Sequence, residues 1–136
     1  MLKPFAFAAA TVGLIAMPLR AEEPGELTRG EAELAKLLEG RVAGEPKRCI
    51  NTFGSRTLHQ IDGTALTYRD GDTVWVNYTR NPESIDDSDI MVIRRFSGST
   101  LCRTDHIDLV ERTGGFLTGV LFLGDFVPYT KVDDKG

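Results

Sequence analysis

Apolar and polar positions follow a helical period near the start of the chain and a strand-like period over most of the remainder. Three leucines between residues 34 and 38 fall on one face of a helix. Thr28 and Glu31 have the spacing of a capping box, in which each side chain accepts a hydrogen bond from a free backbone N–H. Gly40 occupies the position of a left-handed C-terminal cap. The pattern predicts one amphipathic helix over about residues 29–39, with its leucines packed on the domain rather than on a partner.

The clearest β pattern predicts a hairpin. Residues 64–69 and 72–78 are rich in β-formers and flank Asp70-Gly71. Asp-Gly between two such runs is a strong hairpin signal, because a type I′ turn needs positive φ at both central positions. A two-residue turn there places Leu66 opposite Trp75, and both faces carry apolar groups, so we expect cover on both sides. One face holds Leu66, Tyr68 and Trp75, and the other holds Ala65, Val74, Val76 and Tyr78.

Several further runs predict an antiparallel fold without a second helix. The run 116–123 is almost continuously apolar and predicts a central strand, with a bulge at Gly119. Pro128 predicts a strand at a sheet edge, because proline cannot donate a ladder hydrogen bond. We expect a mainly β fold, an antiparallel curled sheet or a small partly open barrel with one N-terminal amphipathic helix. The other predicted strands are 56–61, 90–96, 107–111 and 126–132.

The first 21 residues have the features of a secretory signal peptide. Lys3 is followed by an apolar run over residues 5–17 and by Pro18, and Ala21 precedes an acidic segment, so cleavage is expected after Ala21. The apolar run is shorter than the roughly 20 residues that span a bilayer as a helix, so no stable membrane span is expected after cleavage. The sequence therefore predicts a periplasmic or secreted protein. Its predicted parts are a signal-peptide helix (1–21), a linker and amphipathic helix (22–46), a disulfide-linked β domain (47–132) and a disordered tail (133–136).

Charge argues against a nucleic-acid partner. The chain has 16 basic and 20 acidic residues, a net charge of -4. Removal of the leader takes away Lys3 and Arg20 and no acid, so the net charge becomes -6. The basic residues are scattered and form no stripe that could follow a phosphate backbone.

The two cysteines, Cys49 and Cys102, predict a structural disulfide. An even number of cysteines in a small exported domain is typical of a disulfide, and two cysteines allow one pairing. Two buried thiols and a redox role are the alternatives. The chain has no C-x-x-C spacing, which disfavours redox chemistry, although Lys47 and Arg48 lie beside Cys49.

No sequence motif of catalysis accompanies the two histidines, His59 and His106. The chain has no Gly-x-Ser-x-Gly elbow and no His-Glu-x-x-His pair. A serine, His106 and either Asp105 or Asp108 could be combined into a triad, but any chain of this length allows that. We therefore expect no enzyme activity and no cofactor.

Two other groups are candidates for binding. The acidic run 86–89 could offer Asp86, Asp87 and Asp89 to a divalent cation, but it lacks the glycine and closing glutamate of a calcium loop, so a solvated turn is favoured. Tyr68, Trp75 and Asn77 could form an aromatic surface for a sugar or a peptide. The favoured interpretation of Trp75 is cross-strand core packing.

Three short segments resemble a family of small exported bacterial proteins of unknown function. They are Arg-Cys-Ile at 48–50, Leu-Cys-Arg at 101–103 with Asp105 after it, and Leu-Gly-Asp-Phe-Val-Pro-Tyr at 123–129. The family has paired cysteines and a terminal Leu-Gly-x-Phe-x-Pro-Tyr segment, and the resemblance covers about residues 47–130. It implies export, paired cysteines and no catalytic residues. Some members have another cysteine near the last strand, where this chain has Phe122 or Leu123, so a second bridge is not expected.

These features favour a non-enzymatic binding or structural module whose partner is an envelope protein or a cell-wall component. A second hypothesis is an inhibitor of a secreted or envelope-directed enzyme such as a lysozyme, which the acidic loop 81–89 would approach by electrostatic steering. A weak divalent-metal module or a hydrolase is a third.

Overall fold

One helix and ten strands make up the part of the chain that the computed structural model describes, which is residues 26–52, 58–95 and 98–132 together with Gly13. The predicted tail at 133–136 and, apart from Gly13, the predicted signal peptide at 1–21 lie outside these residues. The elements are α1 (Arg29–Leu37), β1 (Arg41–Ala43), β2 (Cys49–Asn51), β3 (His59–Ile61), β4 (Ala65–Asp70), β5 (Thr73–Asn77), a 3-10 turn (Pro82–Ser84), β6 (Ile90–Arg94), β7 (Thr100–Cys102), β8 (His106–Val110), β9 (Leu117–Phe122) and β10 (Phe126–Lys131).

The strands form three antiparallel sheets. The largest has the order β1-β10-β5-β4-β3, a second consists of β2 and β7, and the third has the order β6-β8-β9. The prediction of a mainly β, antiparallel fold with one helix is confirmed. Among the described strands no sheet closes on itself, so the open-sheet form of that prediction is the one the structure has.

The helix begins at the predicted residue and ends at Leu37, two residues before the predicted end. The backbone N–H of Thr28 donates to Glu31 Oε2 at 2.9 Å, and the N–H of Glu31 donates to Thr28 Oγ1 at 3.2 Å. Gly40 follows the helix with φ +72°, a conformation that favours glycine. Gly30 lies so close to the β3–β4 turn that a Cβ there would stand 2.2 Å from the backbone oxygen of Asp62. Local signals set the helix ends, and Gly30 allows the close approach to the sheet.

The five-stranded sheet is covered on both faces, as predicted for its β4–β5 hairpin. On one face α1 packs through Leu34 against Ile61 and three residues of the hairpin. On the other face the sheet packs against the two smaller sheets in a larger cluster. The three hairpin residues on the helix side are Ala65, Val74 and Val76, and the larger cluster includes Ile50, Leu58, Leu66, Tyr68, Ile85, Leu101, Ile107, Leu109, Leu121, Leu123 and Phe126.

The hairpin turn lies one residue later than predicted. β4 ends at Asp70, and the turn is Gly71-Asp72, with Gly71 at φ +58° in its first central position. Tyr68 therefore pairs with Trp75, where the prediction paired Leu66 with that residue. Because every partner moves by two positions, each side chain keeps its predicted face.

The predicted edge position of Pro128 is wrong. β10 lies inside the five-stranded sheet, between β1 and β5. The oxygen of Pro128 accepts a hydrogen bond from the N–H of Gly44 at 2.7 Å, and the next bond along this edge joins Lys47 and Phe126. β1 ends at Ala43, and residues 45 and 46 leave the ladder between these two bonds, so the missing N–H of Pro128 falls where regular pairing already ends.

The predicted central position of the 116–123 run is also wrong. β9 is the last strand of the three-stranded sheet, and its outer side is closed by Arg80 and Asn81 instead of another strand. The N–H of Arg80 donates to the oxygen of Phe122 at 2.9 Å, and Asn81 Nδ2 donates to the oxygen of Val120 at 2.7 Å. The predicted bulge is present, since the register slips where Thr118 is the extra residue beside Gly119.

The disulfide between Cys49 and Cys102 joins directly opposite residues of β2 and β7, so the predicted pairing is confirmed and free thiols are excluded. Asp105 fixes the turn that follows β7: its Oδ2 accepts the N–H of Cys102 at 2.8 Å, and its own N–H donates to the oxygen of Cys102. Ile50 and Leu101, the residues next to the bridge, are buried in the larger cluster. The bridge thus holds two very short strands in register against the core.

Candidate interaction surface

The face of the β6-β8-β9 sheet that points away from the core is mostly apolar. Cross-strand register places three rows of three residues on this outer face, while the alternate residues of the same strands enter the core. Leu117 is 63% exposed, Phe122 52% and Ile90 44%. The outer face consists of Ile90, Val110 and Leu117 in the first row, Val92, Asp108 and Val120 in the second, and Arg94, His106 and Phe122 in the third.

Charged groups on the outer face pair with one another. Arg94 Nε donates to Asp108 Oδ2 at 3.0 Å, and His106 Nε2 lies 3.8 Å from Asp108 Oδ1. The charges of Arg94 and Asp108 offset each other. The pair lies toward the end of the face that is farther from the β8–β9 turn. The first row therefore remains wholly apolar, and Phe116 in the turn, 71% exposed, extends it.

An acidic loop, residues 81–89, adjoins the first row. Asp89 precedes Ile90 directly, and its Oδ2 accepts a hydrogen bond from Thr118 Oγ1 at 2.6 Å. Arg112 holds the same loop from the β8–β9 turn, through a bond of 2.6 Å from its Nε to the oxygen of Ser88. The acids of the loop are Glu83, Asp86, Asp87 and Asp89. The first three are exposed, and Asp89 is half-buried.

The predicted metal-binding residues are not all brought together. Asp86 and Asp87 lie near Asp62, with one carboxylate oxygen of each within 4.8 Å of the others, whereas Asp89 is bonded to Thr118. Sequence reasoning missed Asp62, which the β3–β4 turn brings to the loop from 24 positions away. All three side chains are exposed. Asp86 forms a local turn: its Oδ1 accepts both the N–H and the hydroxyl of Ser88, and these bonds hold the pKa of Asp86 below its usual value.

The predicted aromatic surface is mostly inside the protein. Tyr68 is 3% exposed and belongs to the core, and Asn77, 1% exposed, bonds Gly124 through both ends of its amide. Trp75 alone of the three reaches a surface, where it lines a depression of about 220 Å³ together with Lys47, Asn51 and Asp70. An aromatic ligand surface made of all three residues is therefore not present.

Tyr78, the residue after β5, contacts the last strand through its phenol group. Its hydroxyl lies 2.9 Å from the hydroxyl of Tyr129 in β10. Partial burial, followed by this hydrogen bond, raises the pKa of Tyr78 well above its usual value. The pair joins the end of the hairpin to the last strand.

Each of the two histidines lies beside a carboxylate. His59 Nε2 lies 3.2 Å from Glu33 Oε1, beside an open depression of about 390 Å³ lined also by Lys36, Leu37 and Arg69. His106 lies beside Asp108, and Asp105 is engaged with Cys102. Of the serines, Ser55 and Ser97 lie outside the described residues, and no described serine bonds either histidine.

The fold and its bridge define a disulfide-linked domain of antiparallel sheets with one packed helix, a combination that indicates a fold made outside the cytoplasm. Comparison with family models, with curated proteins and with solved structures finds no significant match for this chain. The family resemblance of the three short segments therefore stays a prediction. Among the described residues, no helix is long and apolar enough to cross a membrane.

Proposed function

We propose that this chain is an exported, non-enzymatic domain that binds a basic protein of the bacterial envelope through its outer face. The observation that supports this most is the apolar character of that face. The solvent side of an antiparallel sheet is normally polar, whereas six of the nine residues here are aliphatic or aromatic. A contiguous exposed apolar patch rimmed by polar groups is typical of a protein interaction site.

The chemistry of the partner follows from the charges at the rim. The acidic loop borders the wholly apolar first row, and the chain without its leader has a net charge of -6. A partner that buries Leu117 and Phe116 also meets the carboxylates of this loop. Cationic side chains around an apolar patch on the partner would complement both features and would speed association at low salt.

Other observations support the proposed export of the protein and its proposed lack of catalytic activity. The bridge between Cys49 and Cys102 persists in an oxidising space, and the signal-like segment predicts export to the periplasm or the exterior. Each histidine lies beside a carboxylate, and no described serine forms a hydrogen bond with either, so a nucleophile–base pair of serine and histidine has no support among the described residues.

Substitution of Leu117 tests the outer face. We expect Leu117→Asp to abolish capture of the partner from an envelope extract, while Leu27→Asp, at a leucine of equal 63% exposure outside that face, leaves capture unchanged. The captured protein should be basic, and its retention should fall as salt rises. Pull-down with mass spectrometry and repeated binding with the purified partner provide the measurement.

Three results would contradict the proposal. These are equal capture by Leu117→Asp and the wild type, an acidic partner with salt-independent binding, and hydrolysis of ester, peptide or glycan substrates that is lost in His106→Ala.

Inhibition of a basic, cell-wall-degrading enzyme such as a lysozyme is a second candidate function, favoured by the position of the acidic loop beside the apolar row. We expect inhibition at micromolar protein and low ionic strength, reduced by Asp87→Lys and kept by Glu39→Lys, since both acids are exposed but Glu39 lies beyond the end of α1. A lytic assay on bacterial cell walls measures it. Full lysozyme activity in the presence of the wild-type protein would exclude this enzyme as the target.

A further inference from the structure

β6 is the longest strand edge that the described residues leave unpaired. It bonds β8 on one side, and no described residue forms a main-chain hydrogen bond with its other side. The remaining edges are protected, because β1, β2, β3 and β7 are only three residues long and β9 is closed by Arg80 and Asn81. Open edges are usually blocked by a proline, a charged side chain, a bulge or a very short strand. The sequence Ile-Met-Val-Ile of β6 contains none of these.

The charges around β6 are arranged so that the strand complements itself. An acid, Asp89, precedes the apolar stretch, and two bases, Arg94 and Arg95, follow it. When two copies of such a strand run antiparallel, the acidic end of each meets the basic end of the other. A strand from an unrelated partner would need the same order of charges by coincidence, whereas a second copy has it by symmetry.

We infer that this protein forms a homodimer in which β6 pairs antiparallel with β6 of a second copy about a two-fold axis at Val92. In this register Met91 lies opposite Ile93 of the second copy, and Asp89 lies opposite Arg95 of the second copy. The two three-stranded sheets become one six-stranded sheet, because opposite residues of an antiparallel pair share a face. This inference is independent of the proposed function.

The flanking charges already have partners within the chain but keep capacity for more. Asp89 accepts one bond from Thr118, and Arg95 Nη1 donates to Thr52 Oγ1 at 2.7 Å and to the oxygen of Gly98 at 3.1 Å. A carboxylate accepts about four hydrogen bonds and a guanidinium donates five, so pairing across the dimer does not require these contacts to break.

The dimer should be weak and concentration-dependent. A five-residue strand buries less than the about 1,200 Å² that stable interfaces reach. Its three outer-face residues, Ile90, Val92 and Arg94, bring the outer faces of the two copies side by side. The dimer thereby presents one apolar surface twice as wide as that of the monomer.

Charge reversal distinguishes this arrangement from other dimers. In sedimentation equilibrium of the oxidised protein, we expect Asp89→Arg and Arg95→Asp each to raise the dimer dissociation constant about tenfold, since two like-charge pairs then face each other. The double variant should return to within about threefold of the wild type. Rescue inside one chain is impossible, because positions 89 and 95 stand about 20 Å apart at opposite ends of the strand.

A cysteine at the two-fold axis allows a second measurement, covalent cross-linking, which detects a dimer even when its association is weak. Val92→Cys should form a covalent dimer on mild oxidation, because opposite Cα atoms of an antiparallel pair lie about 4.5–5.5 Å apart, within disulfide range. Val120→Cys is the matched control: it is a half-buried valine of the same outer face, on the strand whose edge is closed. Melting curves of each variant show that it is folded.

The dimer arrangement would be overturned by a monomer at millimolar concentration, by single reversals that leave the dissociation constant unchanged, or by equal cross-linking of the two cysteine variants. None of these results bears on capture of a basic partner by the outer face, which Leu117→Asp tests separately.

Discussion

Loss of the disulfide should lower the free energy of unfolding by about 4 kcal/mol, the largest effect that we expect from any single change. Cys49 and Cys102 are 53 positions apart, so the bridge removes much of the entropy of the unfolded chain. The native structure also depends on it locally, because β2 and β7 are three residues long and an isolated two-stranded pair is marginal in water. The bridge holds Ile50 and Leu101 in the core.

Urea denaturation with and without reductant measures this loss. Cys49→Ser should match the reduced wild type, and reductant should leave Cys49→Ser unchanged, which separates the bridge from other effects of the reductant. Since a domain of this size is stable by about 5–15 kcal/mol, the reduced form should unfold at much lower urea. Equal midpoints for the oxidised and reduced wild type would contradict the expectation.

Replacement of Asn77 by alanine should lower the free energy of unfolding by about 2–4 kcal/mol. Asn77 Nδ2 donates to the oxygen of Gly124 at 2.8 Å, and the N–H of Gly124 donates back to Asn77 Oδ1 at 2.9 Å. The amide is buried, so alanine leaves a donor and an acceptor of Gly124 without partners. Position 124 itself requires glycine, because a Cβ there would stand 2.6 Å from the backbone oxygen of Tyr78.

Urea denaturation of Asn77→Ala against Asn51→Ala measures this effect. Asn51 is an exposed asparagine on β2, and its replacement should change stability by no more than about 0.5 kcal/mol. Asn77→Asp is a further variant to measure. It keeps the shape of the side chain and the oxygen that accepts from the N–H of Gly124, but it loses the N–H donor. It should be as damaging as alanine at neutral pH, where a buried carboxylate faces the Gly124 oxygen. A stability of Asn77→Ala equal to that of the wild type would show that the two bonds contribute nothing net.

The parts of the fold that sequence predicts best are those that local chemistry determines. The capping box at Thr28 and Glu31 and the left-handed Gly40 involve residues a few positions apart, and all three are present as predicted. The cysteine pairing was predictable for a different reason, because two cysteines allow only one bridge. The alternation of β4 and β5 likewise assigned their side chains to faces that the structure keeps.

Register was less predictable, because distant contacts decide it. Gly71 serves a two-residue turn in either central position, so the local sequence permits both turns. In the observed register Tyr68 meets Trp75, and Asn77 meets Gly124 through bonds that span 47 positions. The sequence pattern of the hairpin contains no sign of that second contact.

The candidate surface was missed because apolar sequence does not distinguish a covered face from an open one. The 116–123 run predicted a central strand, but Leu117 and Phe122 are exposed and β9 ends its sheet. The carboxylate group at 86–87 was incomplete for a related reason, since Asp62 reaches it only through the β3–β4 turn. Sheet order, which decides both cases, is not encoded in local periodicity.

The position of β10 has a consequence for the order of assembly. β10 lies between β1 and β5, so the strand that follows the helix can join its sheet only when the last strand is in place. During synthesis, a chain that has not yet delivered Phe126–Lys131 can form the β4–β5 hairpin, but Arg41–Ala43 then lacks its strand partner. The final strand therefore completes the sheet, and β1 gains its main-chain partner only when that strand is in place.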